Sequence, residues 1–227
     1  MRATLAPGRF RLLLLSLLVF IIGTTISARL EYGRIVEYTL LAVAVGITMV
    51  ELRAPGQRRL VPTLVAACVI FMSVIDHAQQ LRHWPLFASA LVAVFAGIVV
   101  WLVYGSAMRS QRPVGDRIVG AVCVYVLIGL GFASVYETLD GVIPGSFRFL
   151  ADTAWTAPSA LRYRYFSFIT LATVGYGDVT PATALAGTLA SLEAIAGQLY
   201  IGITVARLVS LSLVERGGAG ERSKPDP

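Results

Sequence analysis

The chain has 227 residues, of which 56% are hydrophobic and 14% are charged, and its mean hydropathy is +0.74. Ordinary globular domains carry about 25% charged residues, so this composition excludes an ordinary water-soluble domain. The formal net charge of +6 would suggest nucleic acid as a partner of a soluble protein, but here the basic residues lie in short segments between apolar runs, and we expect no nucleic-acid binding.

Six apolar runs follow one another along the chain, and each approaches or exceeds the roughly 17–25 residues that a tilted helix needs to cross hydrocarbon. We predict a membrane-spanning helix in each of them: Leu12–Ile26, Ile35–Val50, Leu60–Ile75, Leu86–Met108, Ile118–Tyr136 and Thr183–Leu213. A further apolar segment, Tyr165–Ala172, is too short to cross and predicts a re-entrant helix. The predicted fold class is an all-α membrane protein.

The first apolar run has two interpretations. It follows basic residues and precedes small residues, as a secretory signal peptide does. However, the apolar part of a signal peptide normally spans about 7–15 residues, and this run is long for that role. A retained first helix is therefore the favoured interpretation.

Basic residues concentrate in alternate connecting segments, whereas the arginines of the opposite loops are offset by acidic residues. The concentrated set is Arg2, Arg9, Arg11, Arg53, Arg58, Arg59, Arg109, Arg112, Arg117, Arg216, Arg222 and Lys224. Since basic residues favour the cytoplasmic side, this alternation predicts a multi-pass protein of the cell (inner) membrane with both termini in the cytoplasm.

A polar stretch at 109–115, which contains Pro113 and Gly115, divides the chain. It predicts a four-helix section at residues 1–115 and a second section at 116–214 that holds two spans and the re-entrant helix. Residues 215–227 form a short polar tail, which we expect to be cytoplasmic.

A glycine-spaced segment follows the re-entrant helix. Its residues are Thr173, Val174, Gly175, Tyr176 and Gly177, followed by Asp178. Glycine adopts positive φ without steric cost, so alternating it with ordinary residues can turn successive carbonyls to one side. A row of inward carbonyls, contributed by several chains around an axis, can replace the water shell of a dehydrated monovalent cation.

This segment, placed after an aromatic-rich helix, resembles the selectivity filter of potassium channels, for which the same five-residue loop is known to bind K⁺. The chain resembles prokaryotic-type channels with six transmembrane helices and one pore loop. The resemblance implies a homotetramer in membrane lipid, because a dehydrated K⁺ site needs roughly eight oxygens from four chains. It implies K⁺ sites at residues 173–177 and support of the filter by Asp178. The implied ligand is permeant K⁺, without an organic cofactor.

The fourth apolar run departs from the voltage-gated relatives, which carry Arg or Lys there at every third position. Leu86–Met108 contains no charged residue, and Arg109 lies beyond its end. The four-helix section therefore resembles a voltage sensor in count only, and it is expected to act as a scaffold or as a non-electrical sensor. What opens the pore stays open: lipid, tension, pH, an unknown regulatory partner and constitutive gating at the filter are all alternatives.

The expected function is passive, potassium-selective conduction without strong voltage gating. The alternative is a subunit of an ion-coupled K⁺ transporter, although those relatives usually fuse four degenerate pore loops in one chain. We expect no enzymatic activity, since the sequence offers no nucleophile–base set, metal cluster or phosphate-binding loop.

Two acidic residues near the predicted filter need partners. Tyr165 matches a position where many relatives carry a Trp that bonds the aspartate after the filter, so we expect it to bond Asp178. Glu193 is the ionisable residue inside the last span, and it is predicted to face the re-entrant helix or a neighbouring subunit. Ser167 or Thr170 could bond it structurally; the alternative role for Glu193 is a protonation gate.

Gly197 occupies the position at which relatives carry a hinge glycine. Helix bending and helix packing are both open for it. At 100° per residue, Gln198, Ile201 and Val205 share the face that the resemblance assigns to a central cavity.

Overall fold

The computed structural model describes residues 9–27, 84–107, 114–150 and 159–222, together with Val43 and Gly46, which are both helical. The helices within these ranges are α1 (Arg9–Ser27), α2 (Trp84–Ala107), α3 (Val114–Val142), α4 (Ser159–Leu171) and α5 (Ala184–Arg222). Two short strands, β1 (Phe147–Phe149) and β2 (Val179–Pro181), pair antiparallel with Arg148 opposite Thr180.

Among the described residues, three segments are long and apolar enough to cross a membrane: Phe10–Ser27, Val114–Val142 and Ala184–Ser210. They confirm the first, fifth and sixth predicted spans as apolar helices. The fourth predicted span corresponds to α2. The second and third lie outside the described residues, apart from the two helical residues named above.

The helices extend beyond the apolar runs that predicted them. α3 begins at Val114 rather than Ile118, and Asp116 in its first turn complements the positive end of the helix dipole. α5 ends at Arg222 rather than Leu213. Hydropathy indicates which residues contact lipid. A helix can continue past its apolar part, because each polar residue added to an existing helix forms one more backbone hydrogen bond. The predicted helix bounds were therefore wrong at these ends.

The re-entrant helix α4 starts at Ser159, and it includes polar residues ahead of the apolar segment Tyr165–Ala172. Its 13 residues span about 20 Å at 1.5 Å per residue, which is less than the roughly 30 Å of bilayer hydrocarbon. The two three-residue strands are a further departure from the all-α prediction. They were too short to leave an alternating pattern in the sequence.

A first core joins α1 and α2 to α3. Leu13, Val103 and Val124 are buried there with at most 1% of their surface exposed. Gly120 of α3 lies at the centre of this contact, since a Cβ added to it would be 2.7 Å from the Cβ of Ala107. Because Gly120 also meets the ring of Phe10, the start of α1, the end of α2 and the start of α3 lie together at one end of the bundle.

A second core joins α3, α4, α5 and the strands. Its centre is a set of edge-to-face aromatic pairs with ring centroids 5.1–5.5 Å apart: Tyr136 with Phe147 and Phe166, and Phe147 with Tyr163 and Phe166. Such pairs add about 0.5–1.5 kcal/mol each beyond burial of their area. They anchor both α4 and the β1 segment to α3.

Candidate functional site

The glycine-spaced segment folds back onto the end of α4. The carbonyl of Ile169 accepts hydrogen bonds from the N–H groups of Val174 (2.8 Å) and Gly175 (3.3 Å), and the Thr173 N–H donates to the carbonyl of Thr170 (2.9 Å). These bonds satisfy carbonyls that a helix leaves unpaired at its C-terminus. The first residues of the segment are thus held by their N–H groups against the helix.

The backbone of this segment is left-handed at every second residue. The φ angles are 56° at Thr173, 55° at Gly175 and 80° at Gly177. The two glycines take the positive φ that the sequence predicted for them. No atom lies within 4 Å of a Cβ added to either glycine, so conformation rather than space requires glycine there.

Thr173 is a β-branched residue at positive φ, which the sequence did not predict. Such a conformation costs about 1–3 kcal/mol and persists only where the surroundings hold it. Its side-chain hydroxyl donates to the carbonyl of Ala172 (2.7 Å), and the amide Nε2 of Gln198 donates to that hydroxyl (3.3 Å). Strain of this kind is concentrated at functional sites.

Residues 172–177 are exposed in the single chain, including the side chains of Val174 (51%) and Tyr176 (71%). The face of α5 that holds Leu192, Ile195 and Leu199 is more than half exposed as well. The segment thus lies on an open, largely apolar surface of the single chain.

The predicted bond between Tyr165 and Asp178 is present. The Tyr165 hydroxyl donates to Oδ2 of Asp178 at 2.7 Å, and the N–H of Val179 donates to Oδ1 at 3.1 Å. The far end of the segment is thereby tied to α4.

The two strands brace the same end. The N–H of Leu150 donates to the carbonyl of Asp178 (2.9 Å), and the N–H of Ala182 donates to the carbonyl of Ser146 (2.8 Å). The hydroxyl of Tyr163 donates to Asp140 near the end of α3, and burial raises the pKa of this tyrosine. These bonds join the C-terminal end of the glycine-spaced segment to the end of α3 and the residues that follow it.

The opposite end of the segment rests on α5. A Cβ added to Gly197 would lie 2.4 Å from the carbonyl oxygen of Leu171 and 2.9 Å from its Cδ1. Gly197 lies inside the continuous helix α5. Of the two roles that the sequence left open, close packing against α4 is the one that this contact supports.

Residues 124–212 match the protein family described as Ion channel. Protein LctB of Geobacillus stearothermophilus is 31% identical to this chain over 127 residues, which cover 54% of this chain and 92% of LctB. The chain belongs to the ion channel family. The matched residues include α4, the glycine-spaced segment and most of α3 and α5.

Two further relatives of this ion channel are named as potassium channels. A candidate potassium channel protein of Rhodopseudomonas palustris is 33% identical over 107 residues, which cover 45% of this chain and 24% of that protein. Two pore potassium channel c of Oryza sativa subsp. japonica is 32% identical over 84 residues, or 37% of this chain and 18% of that protein. The chain therefore spans about a quarter or less of these two relatives. No solved structure matches it significantly.

Behind the glycine-spaced segment of this ion channel, Glu193 of α5 is fully buried. Its Oε1 meets the Ser167 hydroxyl at 2.5 Å, and its Oε2 accepts a hydrogen bond from the Tyr136 hydroxyl at 2.5 Å. Of the alternatives that the sequence left open, Glu193 faces the re-entrant helix and contacts Ser167. The Tyr136 partner was missed, because nothing in the sequence indicates which residue of α3 meets α5.

A buried arginine connects α4 to the first helix, which the sequence also did not predict. Nη1 of Arg164 donates to the Thr24 hydroxyl at 2.6 Å, and the guanidinium lies 5.1 Å from the ring centre of Phe20. The first helix is therefore in direct contact with the helix that carries the glycine-spaced segment.

Proposed function

We propose that this ion channel is a homotetramer that conducts K⁺ selectively and passively through a filter formed by residues 173–177. The observation that carries the proposal is the left-handed backbone at Thr173, Gly175 and Gly177, in a segment whose N–H groups are held against α4. Alternating handedness directs successive carbonyls to one side, and such carbonyls replace the water shell of a dehydrated K⁺. Asp178 supports the outer end of this filter through Tyr165.

The exposed apolar face of α5 supports assembly. Leu192, Ile195, Leu199 and Ile203 are each more than half exposed in the single chain. One chain provides a single row of carbonyls, whereas a dehydrated K⁺ site needs roughly eight oxygens in two layers. Four copies that pack against one another along α5 would bury these side chains and would also supply the eight oxygens.

Both termini of each subunit lie on the cytoplasmic side of the cell (inner) membrane. The contact of Phe10, Ala107 and Gly120 supports this orientation, because it gathers the ends of α1 and α3, which carry Arg9, Arg11 and Arg117, with the end of α2, which Arg109 and Arg112 follow in the sequence. Basic segments favour the cytoplasmic side. The filter then opens outward at Asp178 and toward the cytoplasm at Thr173.

The channel is not strongly voltage-gated. α2, which corresponds to the fourth predicted span, contains no charged residue. One elementary charge that crosses 100 mV contributes about 2.3 kcal/mol, and steep gating needs roughly three or more such charges per subunit. The side chains of α2 that are buried against α3, such as Val99 and Val103, are apolar, as is the exposed Trp101. This composition supports a scaffold.

Reconstituted protein tests the proposal. Purified protein in vesicles should pass K⁺ and exclude Na⁺, and chemical cross-linking should yield a tetramer. Gly177→Ala should reduce K⁺ flux or selectivity, because φ is 80° there. Gly187→Ala, in α5 with no atom within 4 Å of the added Cβ, is the matched control.

Three outcomes contradict the proposal. A selective monomer or dimer would overturn the tetramer, and undiminished selectivity in Gly177→Ala would overturn the filter geometry. Accumulation of K⁺ against its gradient, without unitary currents, would favour the ion-coupled transporter instead.

A further inference from the structure

The hydroxyl of Ser167 has two close oxygen neighbours. Its Oγ lies 2.7 Å from the carbonyl oxygen of Gly129 in α3 and 2.5 Å from Oε1 of Glu193 in α5. The other carboxyl oxygen of Glu193 accepts from the hydroxyl of Tyr136. Five oxygens from three helices thus form a continuous series behind the proposed filter, and Glu193 and Ser167 are both fully buried.

The number of hydrogens along this series of oxygens determines which group donates each hydrogen bond. A carbonyl oxygen has no hydrogen, so the contact between Ser167 and Gly129 needs the single hydrogen of the serine hydroxyl. The contact between Ser167 and Glu193 then needs a hydrogen from Glu193. With an ionised carboxylate, one of these contacts would bring two oxygen lone pairs together at 2.5–2.7 Å without a hydrogen between them.

We infer that Glu193 carries a proton and donates it to Ser167, so that a neutral carboxylic acid joins α5 to α4 and α3. Tyr136 donates to the acid, the acid donates to Ser167, and Ser167 donates to Gly129. Every hydrogen in the chain has one donor and one acceptor. The protonation follows from geometry alone; its importance to the filter rests on the proposed function.

The surroundings of Glu193 agree with a neutral side chain. Both of its carboxyl oxygens meet hydroxyl groups rather than a positive charge. An ionised carboxylate that is removed from water without a cation carries a large desolvation cost, which a neutral acid avoids. The titratable groups that face it from α3 are the tyrosines Tyr136 and Tyr125, whereas its contact on α4 is the non-titrating hydroxyl of Ser167.

The link acts on the filter through α4. Ser167 lies two residues before Ile169, whose carbonyl holds the N–H groups of Val174 and Gly175. A shift of Ser167 along the helix axis would move this carbonyl by a similar amount. Glu193 is therefore a positioning residue, because it contacts the helix behind the filter and not the permeant ion.

Infrared spectroscopy of the full-length protein in lipid tests the protonation directly. At neutral pH the wild type should show the carbonyl stretch of a buried carboxylic acid, and Glu193→Gln should lose that band. Asp140→Asn is the matched control, since both oxygens of Asp140 accept hydrogen bonds, from Tyr163 and from the N–H of Phe147. The control should retain the band. A wild type without the band, or a band that survives in Glu193→Gln, would overturn the inference.

Conservative replacement tests the positioning role. A glutamine can donate its N–H to Ser167 and accept from Tyr136, so Glu193→Gln should keep both the melting temperature and the K⁺ flux of the wild type. Glu193→Leu breaks the chain and should lower both. Lost flux in a stable Glu193→Gln protein would contradict the neutral link. Absence of K⁺ flux in the wild type would refute the proposed function, while the infrared result would still stand or fall separately.

Discussion

Gly197→Ala is the substitution whose effect the structure determines most sharply. The added methyl group would lie 2.4 Å from the carbonyl oxygen of Leu171, whereas ordinary contacts begin at 3.4 Å. The added methyl group would therefore be about 1 Å too close. The atom that it meets belongs to the backbone at the end of α4 rather than to a movable side chain. Either α5 must move away from α4, or the end of α4 must shift together with Thr173.

The free energy of this change has two opposing parts. Alanine in place of glycine favours a helix by about 0.5–1 kcal/mol. Overpacking of a close contact costs about 1–3 kcal/mol, and more where backbone is involved. We expect the loss to exceed the gain, so Gly197→Ala should destabilise the channel. Gly202→Ala, on an exposed part of the same helix with no atom within 4 Å, should show only the gain.

Thermal unfolding of the purified channel in detergent measures this difference. For a chain of this size, 1 kcal/mol corresponds to about 2–4 °C in melting temperature. Gly197→Ala should melt several degrees below the wild type and pass less K⁺ in vesicles, whereas Gly202→Ala should melt at or above it. If the two alanine variants melt alike, the close approach of α5 to α4 is not as described.

Two other substitutions test single hydrogen bonds. Tyr165→Phe removes the 2.7 Å bond to Asp178. Hydrogen bonds to charged groups contribute about 1.5–3 kcal/mol to stability, so the proposed filter should be less stable and K⁺ flux should decline faster with time. Flux that decays as in the wild type would show that the bond is unimportant. Thr24→Val removes the acceptor of the 2.6 Å bond from Arg164 and should lower the melting temperature, whereas Thr25→Val, whose exposed hydroxyl donates to the carbonyl of Ile21 within α1, should change it little. Equal melting of the two valine variants would contradict the tie between α1 and α4.

The features that sequence predicted are those that local chemistry determines. Hydrocarbon excludes unpaired backbone, so a long apolar run such as Phe10–Ser27 can be read as a helix without knowledge of its neighbours. Positive φ at Gly175 and Gly177 follows from the residue type and its spacing. The bond from Tyr165 to Asp178 joins residues only 13 positions apart and was predicted from the resemblance.

The features that sequence missed depend on which distant helices meet. Tyr136 and Glu193 are 57 positions apart, and Arg164 and Thr24 are 140 positions apart. Periodicity indicates the face of a helix on which a residue lies, but it does not identify the helix opposite. Positive φ at Thr173 was missed for a related reason: the strain is held by neighbours rather than favoured by threonine itself.

Within the described residues, α4 forms buried polar bonds to three other helices, and its length gives a reason. A spanning helix is fixed in depth by its apolar length, whereas a 13-residue helix is too short for the bilayer to fix it. Arg164 bonds to Thr24 of α1, and Ser167 meets Glu193 of α5, so polar contacts set the position of α4. Within hydrocarbon no water replaces a lost partner, which makes each such position specific. The position of the proposed filter therefore depends on α1, α3 and α5 together, and a change in the first helix is expected to reach it through α4.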